Sequence, residues 1–527
     1  MAALFYCQHP KIFACYWDGA SFRISIHPHI QLAALMGWYF VSPISNETKS
    51  RKGHLKRKQA AIYFLVGLGV LFFSITIGVA PPAGLPANTW GTLGAFILLA
   101  SLWVTEIIPF AITALLPVVI FPIFQIRSLS ATAASYANPV VFLFLGGMFM
   151  ALAMQRWHLQ RRIALFIIQI AGTSRVRLVA GFLAASAFLS MWVSNTAVAV
   201  MMIPIGVAAL SLFRREEGFD SALLLSIAYG SSIGGMATLV GTPPNVILAG
   251  FLMDQHKINI GFLGWVEMAL PVCGMLLLAA WFILTRVACR LHGDVECHSP
   301  DALKKKWQTL GRPSRAEWRV GGVFILTAIL WILRPVLQRW IPALSDAAIG
   351  LAGGIALFVI PAGDNKSRLL DWRTAKRFPI DILVLIGGGL ALAAAIEENG
   401  LALWIAQLGA RIGDWPFSLL LLSVLCLVIG LAEFTSNTAT VASLLPVASA
   451  LAATLNLPPL PLTIAVGLGG SCGFMLPVST PPNAIVYGTG RVPLSFMVRT
   501  GFLMNLAACA ILWVWLAWLA PYQNLGD

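Results

Sequence analysis

Charged residues are scarce in this sequence: Asp, Glu, Lys and Arg make up 11% of its 527 residues, whereas 58% are hydrophobic. The mean hydropathy of +0.83 is far above that of an ordinary soluble domain. Apolar stretches of about twenty residues, the length that crosses a bilayer, recur along most of the chain. The composition excludes a string of soluble domains and predicts one all-α integral membrane domain.

Metal-binding and redox motifs are also missing. The eight cysteines are scattered, with no CxxC pair and no metal-like His/Cys spacing, so we interpret them as packing residues. The N-terminal residues 1–44 contain no run typical of a signal peptide. The net charge of +14 comes from short loops between apolar segments. We therefore expect no nucleic-acid partner and assign these charges to membrane orientation.

The apolar segments predict about eleven transmembrane helices and two re-entrant hairpins. The hairpins are predicted at 176–212 and 416–456, because a polar cluster interrupts each apolar stretch in its middle. The crossings are predicted at 60–80, 90–107, 109–125, 138–155, 221–252, 264–290, 319–338, 345–361, 380–397, 461–490 and 496–520.

The basic loops test this topology, because cytoplasmic loops carry an excess of Lys and Arg. With the N-terminus cytoplasmic and the C-terminus extracytoplasmic, nearly all basic loops fall inside; we expect a bacterial inner (plasma) membrane. The predicted parts are an N-terminal cytoplasmic extension at 1–58, a first repeat at 59–291, a cytoplasmic basic linker at 292–318, a second repeat at 319–520 and a tail at 521–527.

The two halves of the chain share three motifs in the same order. A Gly-Gly pair at 146–147 returns at 387–388, Ser-Asn-Thr-Ala at 194–197 returns at 436–439, and Thr-Pro-Pro-Asn at 242–245 returns at 480–483. The topology gives the two hairpins opposite orientations, the first entering from the cytoplasm and the second from outside. This pattern predicts two inverted-topology repeats, which are typical of alternating-access transporters.

The repeated motifs place polar groups inside the membrane. Paired prolines break a helix into two halves, and the break presents carbonyl oxygens from one half and N–H groups from the other. Carbonyl, amide and hydroxyl oxygens suit sodium, whereas helix N-termini, amides and hydroxyls suit a carboxylate. No Arg or Lys falls within these motifs, so a bound anion would need sodium and helix dipoles to balance its charge.

Over residues 60–520 the chain resembles the divalent anion:sodium symporter family. The resemblance rests on the two SNT tips, on GTPPN at Gly241–Asn245 and STPPN at Ser479–Asn483, and on the segments Thr105–Pro122 and Gly430–Thr440. It implies a homodimer of elevator type, with a scaffold domain and a moving transport domain, that carries a small divalent anion, most readily a C4-dicarboxylate such as succinate, malate or fumarate, with Na⁺ as the coupling ion.

The resemblance also implies the residues of the site. Sodium site 1 would be formed by Ser190, Asn195 and Gly241, and sodium site 2 by Ala432, Thr435, Asn437 and Ser479. The substrate would contact Asn195, Thr196, Ser436, Asn437, Thr438 and Thr480.

Three alternatives stay open at this point. Within the family these are a sodium-independent dicarboxylate or tricarboxylate exchanger and a sulfate transporter. A membrane-embedded enzyme would need a cluster of His, Asp or Glu that the sequence does not offer. Glu433 lies three residues before Ser436, so it is either a helix-end charge or a residue that organises or protonates the second site. We interpret the other acidic residues near spans as solvated span ends: Glu106, Glu267, Asp381, Glu397 and Glu398.

Overall fold

The computed structural model describes residues 13–17, 22–26, 49–82, 85–105, 107–172, 174–211, 213, 217–289, 291, 311–363, 367–378, 380–401, 404 and 415–519. Within these ranges the chain is almost entirely helical. Most of the predicted linker and the predicted tail lie outside the described residues. The chain divides into two units, residues 1–63 and 64–527.

The first unit contains two short strands that the hydropathy pattern does not predict. Strand β1 (Phe13–Trp17) pairs antiparallel with β2 (Phe22–Ile26), with Phe13 opposite Ile26. Both strands are rich in the aromatic and β-branched residues that favour extended backbone. The predicted extension at 1–58 therefore holds two paired strands, and helix α1 already begins in it at Lys49.

The helices follow the predicted order of spans. They are α1 (Lys49–Gly78), α2 (Ala87–Thr105), α3 (Phe110–Ile123), α4 (Leu129–Ala134), α5 (Pro139–Arg156), α6 (Leu159–Ala171), α7 (Arg175–Ser190), α8 (Asn195–Leu210), α9 (Glu217–Met236), α10 (Pro243–His256), α11 (Phe262–Phe282), α12 (Arg315–Leu337), α13 (Asp346–Val359), α14 (Trp372–Ala375), α15 (Ile380–Glu398), α16 (Phe417–Ala432), α17 (Asn437–Thr454), α18 (Pro459–Gly469), α19 (Pro481–Gly488) and α20 (Leu494–Val514).

Six helical segments of the described chain are long and apolar enough to cross a membrane by length and composition: Leu129–Arg156, Phe262–Ala288, Arg315–Leu337, Ile380–Glu398, Asn437–Thr454 and Leu494–Trp518. Other predicted crossings coincide with shorter apolar helices, among them α3 and α13. Helix α6 is missing from the predicted spans, because Gln160, Arg161, Arg162 and Gln169 interrupt its apolar residues.

The predicted crossings at 221–252 and 461–490 are both broken helices. Helix α9 ends at Met236 and α10 begins at Pro243, whereas α18 ends at Gly469 and α19 begins at Pro481. In both breaks two prolines open the following helix, where a missing N–H costs no helical hydrogen bond. Each predicted hairpin is likewise two helices joined by a short tip, α7 to α8 and α16 to α17.

The repeated glycine pairs allow two equivalent helix crossings. A Cβ at Gly146 would lie 2.3 Å from the backbone of Gly350, so α5 and α13 approach through bare backbone. A Cβ at Gly388 would lie 2.3 Å from the carbonyl oxygen of Ala114, so α15 meets α3 in the same way. The fourth predicted span thus packs on the eighth, and the ninth packs on the third. Each crossing thus joins a helix of one repeat to a helix of the other, as expected of two repeats that pack together in equivalent ways.

Candidate functional site

The two hairpin tips hold the SNT motifs at helix N-termini. Tip 1 joins α7 to α8 at 191–194, and tip 2 joins α16 to α17 at 433–436. Ser194 Oγ accepts a hydrogen bond from the backbone N–H of Ala197 at 3.4 Å, as an N-cap residue does. Helices α8 and α17 begin at Asn195 and Asn437. The first turn of a helix leaves N–H groups without helical acceptors, so each tip offers donors to an anion.

The first break is held open by an asparagine from the TPPN motif. Asn245 Nδ2 donates to the carbonyl oxygens of Gly235 at 2.9 Å and Thr238 at 2.7 Å. Gly235 belongs to the last turn of α9, where carbonyls lack helical donors, and Thr238 lies in the break itself. Asn245 is fully buried, and its Oδ1 has no hydrogen-bond partner.

The second break repeats this arrangement at the equivalent positions. Asn483 Nδ2 donates to the carbonyl oxygens of Gly473 and Leu476, both at 3.2 Å. Asn483 is also fully buried with an unpaired Oδ1. Buried polar atoms are nearly always paired in native proteins, so an unpaired oxygen in the same place in each repeat suggests a ligand at both.

A cavity of about 520 Å³ lies where the tips and the breaks meet. Its lining includes all six residues that the family resemblance assigns to the substrate: Asn195, Thr196, Ser436, Asn437, Thr438 and Thr480. Gly241 and Ser479 of the predicted sodium sets also line it. Among the described residues that form its wall there is no Lys or Arg, in agreement with the motif analysis.

Another part of the wall comes from helices without a repeated polar motif. Helices α3, α5 and α15 contribute Phe110, Phe144, Met148, Asp381 and Leu385. Asp381 lies in the first turn of α15 and is exposed, as the interpretation as a span-end charge expects, and it also lines the cavity. No sequence signal distinguishes Phe144 or Met148 from ordinary packing residues of α5.

The three residues of predicted sodium set 1 come together beside the first break. Ser190 Oγ donates to Asn195 Oδ1 at 2.7 Å. A Cβ at Gly235 would lie 2.4 Å from Asn195 Oδ1, and a Cβ at Gly241 would lie 2.4 Å from the Gly235 carbonyl oxygen. Only glycines allow this approach, so the hydroxyl, the amide and the break carbonyls share one small space. Such a group of neutral oxygens suits a hard monovalent cation.

Predicted sodium set 2 is brought together in part. Ala432 O and the Ser479 side chain flank Gly473, where an added Cβ would lie 3.0 Å from each. Asn437 lines the cavity with Ser479, and its Oδ1 is buried without a partner. Thr435 instead bonds within its own hairpin, because its hydroxyl donates to the Leu431 carbonyl oxygen at 2.9 Å.

Glu433 is a buried residue of tip 2 and is bonded to the second break. Its carboxylate accepts hydrogen bonds from the backbone N–H groups of Phe474 at 2.7 Å, Met475 at 3.0 Å and Leu476 at 3.0 Å. The side-chain amide of Asn505 donates to the same carboxylate at 2.7 Å. Glu433 is 3% exposed, so it is not a solvated helix-end charge. Its contacts are those of a residue that organises the second site.

The first repeat fastens its tip to its break differently. Met191 occupies the position that corresponds to Glu433, four residues before the Asn of the motif. Here the hydroxyl of Thr238, in the break, donates to the Met191 carbonyl oxygen. In the first half, therefore, one neutral hydrogen bond links the tip to the break. In the second half, a buried carboxylate that accepts from four donors makes this link.

Comparisons with known proteins agree with this architecture. The family model for the sodium:sulfate symporter transmembrane region matches residues 61–522. A protein of Staphylococcus saprophyticus named sodium-dependent dicarboxylate transporter SdcS is 36% identical over 500 residues, which cover 89% of this chain and 96% of the relative. The protein of the same name from Staphylococcus aureus strain USA300 is 37% identical over 475 residues, covering 87% of this chain and 91% of the relative.

A solved structure supports the fold. The crystal structure of the YdaH transporter of Alcanivorax borkumensis matches with a TM-score of 0.52 and 17% identity, covering 74% of this chain and 88% of that chain. At this identity the likeness concerns the membrane-transporter fold alone.

Proposed function

Because this chain belongs to the sodium:sulfate symporter transmembrane-region family, the divalent anion:sodium symporters that its motifs resemble, we propose that it is a secondary active transporter that couples sodium to the uptake of a C4-dicarboxylate. The observation that carries the proposal is the cavity of about 520 Å³ between two hairpin tips and two helix breaks. Its relatives carry transporter names, so the membrane-embedded enzyme is excluded.

The substrate is a dicarboxylate because the site offers two positions at which a carboxylate can bind. One carboxylate binds the N-terminal end of α8 with Asn195 and Thr196, and the other binds the corresponding end of α17 with Asn437 and Thr438. Each of these binding positions combines a helix dipole with amide and hydroxyl donors. A cavity of about 520 Å³ falls within the usual size of small-molecule sites and exceeds what a single sulfate fills.

Sodium balances the charge of the substrate. One ion is held by Ser190, Asn195 and the Gly241 region, and a second by the Ala432 carbonyl, Asn437 and Ser479, with Thr435 supporting tip 2. Two sodium ions and one dicarboxylate move without net charge. Each further sodium would draw on the membrane potential, at about 2.3 kcal/mol per charge per 100 mV.

The transport cycle follows the predicted organisation. The hairpins and broken helices form a transport domain that moves against the remaining helices, which form the scaffold of a homodimer in a bacterial plasma membrane with a cytoplasmic N-terminus. The contacts of α9 and α8 with α19, and of α10 with α17 and α18, support this division, because they join the two tips and two breaks into one packed body.

Purified protein in sealed vesicles tests the function. We expect labelled succinate to accumulate only with an inward sodium gradient, and fumarate and malate to compete with it. Uptake that ignores sodium but requires internal dicarboxylate would identify an exchanger. Competition by sulfate but not by fumarate or malate would identify the sulfate transporter that the family name suggests.

A further inference from the structure

A second cavity lies beside the proposed substrate site and is lined by basic residues. It has a volume of about 570 Å³, and its wall includes Arg156, His158 and Arg377. Among the described residues of this wall there is no Asp or Glu. The proposed substrate cavity has the opposite character, since its lining contains Asp381 and no Lys or Arg.

The two cavities follow one another along the same three segments. On α5, Phe144 and Met148 line the substrate cavity, and Leu152 and Gln155 line the second one. Residues spaced by three and four lie on one face of a helix, so this face runs from one cavity into the next at about 1.5 Å per residue.

The other two segments show the same succession. Helix α8 has Asn195 and Thr196 in the substrate cavity and Val200 in the second cavity. Just before α15, Arg377 lines the second cavity, four residues ahead of Asp381 in the substrate cavity. The second cavity therefore lies one to two helical turns from the substrate site on the side of the Arg156 loop, which the basic-loop pattern assigns to the cytoplasm.

The positive charge of this cavity is only partly neutralised. Arg156 Nη1 forms an ion pair with Asp371 Oδ2 at 2.7 Å. The hydrogen bond that Asp371 accepts from the Thr374 backbone N–H at 2.7 Å holds the pKa of this carboxyl below its usual range, so the pair stays charged. Arg377 is exposed and lies on the cavity wall. Its charge acts on whatever enters.

The cavity is also suited to water. Gln160 is 9% exposed, lines the wall, and has a buried Oε1 without a hydrogen-bond partner. A buried amide oxygen next to a space of this size takes its hydrogen bond from water. A hydrated, positively charged antechamber concentrates anions, because walls of low dielectric focus the field into the opening.

We propose that this second cavity is the cytoplasmic vestibule of the transporter, in which Arg377 and Arg156 attract the divalent substrate before it reaches, or after it leaves, the site between the tips. This rests on the proposed function. The vestibule supplies the positive charge that the substrate site itself lacks, and it supplies it on one side of the membrane only.

The test measures the apparent KM for succinate separately from each side, in inside-out and right-side-out vesicles. Arg377→Gln should raise the KM about three- to tenfold from the cytoplasmic side at low ionic strength, as expected for one charge about 5–11 Å from a dianion in water-like surroundings. The rise should shrink when a choline salt brings the ionic strength above about 0.5 M, since the Debye length then falls below about 5 Å.

Lys376→Gln is the matched control. The substitution removes the same charge from an exposed residue that is not part of the cavity wall. An equal effect of Lys376→Gln, an equal effect from both sides, or no effect of Arg377→Gln would overturn the vestibule. An effect that requires anionic lipid in the vesicles would overturn it too, in favour of a lipid headgroup. Absence of sodium-driven uptake by the wild-type protein would instead contradict the proposed function.

Discussion

Replacing Glu433 tests whether the proposed second sodium site depends on a buried carboxylate. Glu433 in tip 2 accepts hydrogen bonds from three consecutive backbone N–H groups, those of Phe474, Met475 and Leu476, and from the Asn505 amide. Glu433→Ala removes the acceptor for all four donors. Glu433→Gln keeps one oxygen but places an NH₂ group among donors.

The magnitude follows from the donors that lose their acceptor. An unsatisfied buried donor costs about 1–3 kcal/mol, so Glu433→Ala carries a penalty of about 4–12 kcal/mol, comparable with the whole stability of a typical domain. We expect the second break to rearrange. Glu433→Gln orphans one or two donors and should cost about 2–4 kcal/mol. Over the matched region, 61–522, an unfolding entropy of about 2.1 cal/mol/K per residue converts this into about 2–4 °C of Tm.

The assay combines thermal unfolding in detergent with sodium activation of succinate uptake. The second break contains the carbonyl of Gly473, which accepts hydrogen bonds from Ser479 and Asn483. If Glu433→Gln shifts this break, Ser479 of the proposed sodium site shifts with it. The sodium concentration for half-maximal uptake should then rise about three- to tenfold. Glu398→Gln is the control. Glu398 is a half-exposed carboxylate that pairs with the largely buried Arg127 at 2.9 Å, and because solvent reaches this carboxylate, its replacement should cost less than the loss of the four buried donors of Glu433.

Two outcomes would refute this reasoning. The first is Glu433→Ala with the Tm and sodium activation of the wild type, which would mean that the four donors find other partners at no cost. The second is a Glu433→Gln variant whose loss of uptake is restored fully by low pH rather than by more sodium, which would indicate a proton carrier instead of an organising carboxylate.

Two further predictions concern the tips and the frame. Asn195→Ala and Asn437→Ala should each abolish sodium-dependent uptake while the protein stays folded; unchanged sodium activation in either variant contradicts the assigned sites. Gly388→Ala should destabilise the protein by about 1–3 kcal/mol or more in thermal unfolding, because the new Cβ would lie 2.3 Å from the Ala114 carbonyl oxygen. Gly430→Ala, with no atom within 4 Å of its Cβ, should leave stability unchanged or raise it by up to about 1 kcal/mol; an equal loss in both would refute the crossing.

The parts of the site that the sequence predicts are those where the backbone must leave a helix inside the membrane. A break or a tip frees carbonyl and N–H groups that need polar partners, and this need restricts the residue types at each position. Asn245 and Asn483 illustrate it, because each uses its amide to hold the freed carbonyls of its own break. The motif recurs in both repeats, so it stands out even in a single sequence.

The apolar residues that line the cavity cannot be recognised in the sequence in this way. Phe144 and Met148 line the cavity, yet they lie in the same helix as the buried Ala151 and Ala153, and an apolar residue that faces a ligand cannot be told from one that faces another helix. Tertiary packing alone decides which face of α5 meets the tips. The sequence predicts that Asp381 lies near a span end, but not that it borders the cavity, because helices far away in the chain form that cavity.

The two halves also show why a repeated frame need not give two equal sites. Three features recur because the backbone has the same course in both repeats. The glycines allow helices to approach closely, Asn245 and Asn483 hydrogen-bond the carbonyls of the breaks, and the SNT motifs form the tips. The link between tip and break is free to differ, and here it does: Thr238 and Met191 share one neutral hydrogen bond, whereas Glu433 gathers four donors. A buried carboxylate lies near only one of the two proposed sodium sites, so we expect the two sites to bind sodium with different affinities.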